Sequence, residues 1–436
     1  MKDFLAEEVT RSVSSRYASQ IIACILLDYK LFEANLSSGA YRLAAYRQFT
    51  LWWQGRIGRG VQCAIPTCHL FHKAAYPEAS GNYIGPVMVL TLGAAVLYII
   101  PYIMSFLVLH LLALQHWEDI DPLFYVLAVF SFTCLVGLTN ALEQDGYISG
   151  YMGFYLKKGE PHLSAAYAVM MNYWEGVLHF LLFLIIIHRM FRGKSYRSLA
   201  LFWAGSSIGH QIVFIPGVVI GKYGSNIHPA FWRNTPFLLL PIWGAILLFS
   251  RERELPLIPA DKIAVAQKRS LLYRPVDLIL SLLLLGAMAF SVFRGVVALD
   301  CPLDICFTYI YQYEPYLKDP VVFPKVTMLV YLFYALPLLA AFIYGLRNPG
   351  CTWMLDWAIF FAGAIAQTQW CHIGGSLHSR TPFTYRVPTD KWSTVMILNG
   401  LYVAVPILLA IRCRLSPTFF MPTVPEGQTS PEKKDN

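Results

Sequence analysis

Charge is scarce in this chain of 436 residues: 14% are Asp, Glu, Lys or Arg, against 56% hydrophobic and 15% aromatic. Soluble domains carry about a quarter of their residues charged, so that class is excluded and a membrane protein with several spans is indicated. The apolar runs exceed 20 residues and lack period-two alternation, which excludes a barrel of strands. The nine cysteines lack zinc-type spacing, so no metal site is expected, and no motif calls for a cofactor. A net charge of +8 would suggest nucleic acid in a soluble domain. Here the basic residues fall between the apolar runs, where they set orientation, and nucleic acid is dropped as a partner.

What is present is a series of apolar runs. They cover roughly 86–115, 122–142, 163–188, 198–220, 230–249, 275–299, 323–346, 353–376 and 392–412. The fold class expected is an all-α polytopic membrane protein with about nine helices, or ten if a segment near 18–40 also spans. Residues 1–85 read as a poorly ordered or interfacial arm, with charges rather than a signal-peptide core in the first twenty positions and a glycosylation sequon at Asn35. The run at 86–115 reads as an additional transmembrane helix.

The connections give the orientation. One side collects Arg189, Arg192, Lys194, Arg197, the basic linker 251–274, Arg347, Arg412 and Arg414. The other has Lys157, Lys158, Lys222, Arg233, Lys318, Arg380, Arg386 and Lys391. The richer side is expected to be cytosolic, together with the C-terminus.

Leu163–Ile187 stands out because Glu175 and His179 sit inside a run long enough to cross a bilayer. An ionisable group at mid-membrane costs at least about 2.5 kcal/mol, so it needs a reason. Four residues apart on an α-helix, the two point the same way, with Trp174 and Tyr167 near that face. Either this face lines a cavity with chemistry in it, or the pair satisfies itself between packed helices.

Three further features are legible. Cys301 and Cys306, in DCPLDIC on the expected lumenal side, suit a small structural disulfide. Lys433 and Lys434 stand three and four places from the carboxyl end of the tail 414–436, the placement of a dilysine retrieval signal read by coat proteins. Glu160-Pro161-His162-Leu163 recurs 154 positions later as Glu314-Pro315-Tyr316-Leu317. With the same order of runs around each copy, this gives two four-helix units, 121–250 and 275–413.

These units resemble EXPERA domains, the four-helix lipid-pocket module of emopamil-binding protein and the sigma-two receptor. The tandem arrangement, with KGEP, YWEG, IGKYG, HPAF, FRGVVALDCP, YIYQYEPYLKDP and HSRTPFTYRVP, is similar to the transmembrane 6 superfamily over about 120–420. The resemblance implies an endoplasmic reticulum protein of lipid homeostasis, tied to triglyceride and cholesterol secretion, lipid droplets and lipoprotein lipidation. It extends to the ER-Golgi intermediate compartment, with membrane lipids or sterol and lipoprotein-assembly machinery as partners.

The resemblance also raises sterol double-bond isomerisation, in which an acid protonates an alkene carbon and a base takes an allylic proton. Glu175 matches the family glutamate, and Asn399 with Tyr402 matches an Asn-x-x-Trp pattern with Tyr for Trp. In the first unit that pattern keeps Trp243, with Leu240 in place of the Asn. The first helix of the module offers Ser131, Thr133 and Cys134 in one unit and Ser291 and Arg294 in the other, where the isomerase has a His and a Glu. The expected lipid-pocket set is Trp174, Glu175, His179, His210, Trp243, His372, Asn399 and Tyr402, with Glu175 as the catalytic candidate if chemistry survives. Each also has a plain reading: interior histidines satisfied by neighbours, tryptophans as belt or packing residues, Asn399 as an interhelical donor. A lipid-binding regulator is preferred to an isomerase, and a transporter is weaker still, because interrupted half-helices are not seen.

Overall fold

Asp121 caps the first described helix by accepting the Leu123 amide at 2.9 Å, and Pro122 occupies the first helical position, where its missing N–H is not needed. The computed structural model describes residues 121–148, 156 and 159–423. The arm 1–85, the run at 86–115, Lys157, Lys158 and the terminal Lys433 and Lys434 lie outside the described residues. Those described are all helix, turn and loop. Eight long helices follow the apolar runs: α1 (Pro122–Gln144), α2 (Ala166–Phe191), α3 (Arg197–Ile220), α4 (Thr235–Ser250), then α6 (Pro275–Ala298), α8 (Phe323–Arg347), α9 (Met354–Leu377) and α10 (Trp392–Leu415). Two short ones, α5 (Ala260–Lys268) and α7 (Asp304–Gln312), lie in the connections.

Both Glu-Pro elements fold alike. Each opens a 3-10 turn, Pro161–Ser164 and Pro315–Lys318, and each is followed by a long helix that widens into a π turn, at Trp174–His179 in α2 and Tyr331–Ala335 in α8. The α3–α9 crossing is reciprocal: a Cβ at Gly205 would run into the Phe360 carbonyl, and one at Gly363 into that of Phe202. Small residues permit this approach in a membrane, where packing rather than water drives association. α3 and α9 together become the central strut, with 13 of the 24 residues of α3 and 17 of the 24 of α9 buried.

One end of the bundle is knitted by three aspartates. Asp356 holds Arg197 (2.8 Å) and Arg253, Asp277 holds Arg274 (2.7 Å) and Arg412 (2.6 Å), and Asp121 holds Arg251 (2.6 Å) and Tyr196. Burial works against ionisation of Asp121, but hydrogen bonds from Arg251, Tyr196 and the Leu123 amide leave its carboxyl below the ordinary value. The opposite end carries the two Glu-Pro turns and a disulfide between Cys301 and Cys306.

Candidate functional site

The π turn in α2 changes the geometry expected for Glu175 and His179. Its extra residue per turn breaks the same-face relation of positions four apart and brings positions five apart together. Trp174 Nε1 therefore donates to His179 Nε2 at 3.2 Å and to Ser206 Oγ at 3.0 Å, and His179 Nε2 lies 2.8 Å from Ser206 Oγ. Ser206 Oγ donates to Gln367 Oε1 (2.6 Å), whose amide donates across to Glu175 Oε1 (3.4 Å). The Glu175–His179 pair expected from spacing is thus replaced by two separate attachments joined through Ser206 and Gln367. Gly176 makes room, since a Cβ there would sit 2.5 Å from that of Leu138 on α1.

The second cluster is built around a buried ion pair. Arg294 on α6 donates from Nη2 to both Glu314 oxygens (2.9 and 2.6 Å) and to His372 Nε2 (2.8 Å). Asn399 Nδ2 donates to Glu314 Oε1 at 2.8 Å and accepts from the Gln369 amide, and Tyr331 donates to Gln369 Oε1 at 3.0 Å. Tyr402 stacks on Tyr331 and hydrogen-bonds Ser291 at 2.7 Å. Arg294, Glu314, His372 and Asn399 are each 1–2% exposed. Burial alone would push the Glu314 carboxyl up, but the Arg294 guanidinium, with His372 and Asn399, holds it well below the usual carboxylate range.

The expected set is therefore divided. Trp174, Glu175 and His179 lie in the first cluster; His372, Asn399 and Tyr402 in the second. His210 joins neither: it is fully buried between Phe214 and Phe323, and both ring nitrogens are without hydrogen bonds among the described residues. Trp243 is partly exposed on α4 and hydrogen-bonds to neither cluster. α9 serves both clusters, because Gln367 and Gln369, two positions apart, face opposite sides of the helix.

Ser206, Gln367, Gln369 and Glu314 were missed as site residues. The polar triplet Gln367-Thr368-Gln369 inside an apolar run was the available signal for two of them. The Asn missing at Leu240 also has a counterpart. Asn234 Nδ2 donates to Glu160 Oε1 at 3.0 Å, as Asn399 does to Glu314, so each Glu-Pro carboxylate is met by an asparagine at the fourth long helix of its unit. Among the described residues no group of three His, Cys, Asp or Glu could hold a metal ion.

Residues 63–259 match the family described as transmembrane 6 superfamily member 2-like, transmembrane domain, and residues 305–413 match the EXPERA family, the expanded EBP superfamily. The first match begins at residue 63, further toward the N-terminus than the quoted motifs reach. The chain is 44% identical over 371 residues to transmembrane 6 superfamily member 2 of Mus musculus, covering 84% of this chain and 95% of that one. Against the Homo sapiens protein of the same name it is 47% identical over 340 residues, 77% and 90% of the two chains. No solved structure matches. With eight long helices, paired Glu-Pro turns and relatives of this identity over most of their length, the chain belongs to the transmembrane 6 superfamily.

Proposed function

We propose that this is an endoplasmic reticulum membrane regulator of lipid homeostasis, acting on triglyceride and cholesterol secretion, lipid droplet content and lipoprotein lipidation. It holds a sterol or another membrane lipid against the first cluster, at Trp174, Glu175 and His179, without converting it. The observation that carries this reading is how the acids are held. Double-bond migration needs an acid and a base aimed at two carbons of one substrate. Glu175 is tied to an amide, His179 to Ser206 and Trp174, and Glu314 is clamped by Arg294 and Asn399. Among the described residues no acid and base face each other across a free site.

Among the described residues, the core of the first unit keeps buried polar atoms without hydrogen bonds on Asn140, Asn172, His210 and Gln211, and that of the second keeps them on Arg294 and His372, beside the mutually bonded Gln369, Asn399 and Glu314. A buried polar group left unmet is costly, and a ligand hydroxyl or water relieves it.

The second reading, a sterol isomerase with Glu175 as acid or base, draws on one observation: Glu175 is a carboxyl at a π turn inside a span, a distortion that recurs at functional sites. Isomerase-deficient microsomes decide between the two. The wild type is expected to leave an unsaturated sterol unconverted, and Glu175→Gln to change lipid binding or abundance. Conversion by wild type that falls about 100-fold in Glu175→Gln would refute the regulator.

The aspartate-knit end, which gathers the arginines of the richer side, is taken to face the cytosol, with Lys433 and Lys434 read there by coat proteins. The Cys301–Cys306 disulfide is then lumenal.

A further inference from the structure

The end of the bundle that carries the two Glu-Pro turns encloses a cleft of about 300 Å³ between the first and second groups of four helices. Tyr167, Lys222 and Tyr223 line it from one side, Tyr316, Asp319 and Arg380 from the other, and the Lys222 amide donates to the Pro320 carbonyl at 2.9 Å to join the walls. Its floor is polar and unmatched. Tyr167 is 1% exposed and Tyr316 0%, yet neither phenol oxygen has a hydrogen-bond partner among the described residues. Asp319 is 5% exposed; one oxygen accepts the Val321 amide at 3.0 Å, and no ion pair reaches the carboxylate among the described residues. Burial pushes its carboxyl above the ordinary value, with the Val321 amide and Lys222 opposing, as suits an acid short of a cation. The rim is cationic. Lys222 and Arg380 are exposed; Arg380 is anchored by the carbonyls of Ser164 and Gln144, and neither has an acid partner among the described residues.

We propose that this cleft takes the headgroup of a zwitterionic phospholipid bearing a primary ammonium, a phosphoethanolamine, with the ammonium on Asp319 and the Tyr167 and Tyr316 oxygens and the phosphate on Lys222 and Arg380. Three N–H groups meet three unfilled acceptors on the floor. A choline headgroup has no N–H to give them. An anionic headgroup without an amine leaves Asp319 unmatched, and a simple cation meets Lys222 and Arg380 on its way in. The cleft lies at the ends of the spans, the depth at which phospholipid headgroups sit. The assignment does not depend on whether the first cluster holds a sterol.

Native mass spectrometry of the full chain, delipidated in detergent and offered dioleoyl phosphatidylethanolamine, phosphatidylcholine or phosphatidic acid, tests it. Phosphatidylethanolamine should be retained about tenfold better than either competitor, the scale of one hydrogen-bonded charge. Asp319→Asn should erase that preference, Tyr167→Phe with Tyr316→Phe should weaken it, and Lys222→Ala should lower retention of phosphatidylethanolamine and phosphatidic acid together. Equal retention of the ethanolamine and choline lipids by wild type, or an unchanged preference in Asp319→Asn, overturns the proposal. If Asp319→Asn does not fold, the wild-type preference and the rim variant Lys222→Ala carry the decision. Glycerophosphoethanolamine, offered without acyl chains, separates the sources: retention equal to the lipid's points to a soluble headgroup compound, and retention of the lipid alone points to the membrane.

Discussion

Replacing Arg294 by Met would leave the Glu314 carboxylate buried beside Asn399 and His372 with its guanidinium gone. Both partners of the ion pair are nearly inaccessible, at 1% and 3% side-chain exposure, so solvent cannot make good the loss. Removing one partner of a buried pair costs about 3–5 kcal/mol, while replacing both by uncharged groups of similar volume is near neutral. Spread over roughly 300 residues, that cost lowers the melting temperature by about 5–8 °C. Arg294→Met should therefore melt early, and Arg294→Met with Glu314→Gln should recover most of the difference. Cys134, Cys371 and Cys413 are free and buried, so a thiol-reactive dye that fluoresces on exposure of these sulfurs follows unfolding in detergent. A single variant within 1 °C of wild type, or a double variant as unstable as the sum of its singles, would show that the second cluster is not held by this pair.

Gly176→Ala should separate α2 from α1 at the π turn and cost about 1–3 kcal/mol, seen as an earlier thermal transition; a neutral effect would mean the close packing on Leu138 is dispensable. Burial pushes the His162 imidazole down to about 4, so the folded chain resists a proton that the unfolded chain accepts near 6.5. The resulting stability is whole at pH 7 and lost as pH falls through 6.5 toward 4, to a limit of about 3 kcal/mol. His162→Phe should flatten that slope in denaturant melts at pH 7 and 4.5, and an unchanged slope would assign the loss elsewhere. Replacing Lys433 and Lys434 by Ser should let part of the protein reach the Golgi in fractionation, whereas strict retention would leave the terminal lysines without that role.

The helices were legible because apolar length alone marks a span, and the runs at 122–142 and 392–412 became Pro122–Gln144 and Trp392–Leu415. The Glu-Pro repeat was legible too, and it marked a pair of equivalent turns. What could not be read was how those turns are used. Glu314 is twenty residues from Arg294 through a loop whose path sequence does not fix, and Asn399 reaches it from the last helix. The π turn is hidden for a different reason: a spacing of four implies one face only if the helix is α throughout, and nothing in YWEG announces the extra residue. The Asn-x-x-Trp spacing to Trp243 points to Leu240 as the place of a missing Asn, whereas the contact with Glu160 puts the counterpart at the helix start, in Asn234.

The central claim is that a lipid sits at the first cluster while the second is built around its own buried ion pair. A photoactivatable sterol, crosslinked to the full chain in microsomes and located by peptide mass spectrometry, tests it most directly. Adducts are expected on the segments around Trp174 to His179 and Ser206, and these should diminish in Glu175→Gln; adducts concentrated around Ser291, Arg294 and Tyr402, or none displaced by unlabelled sterol, would contradict it.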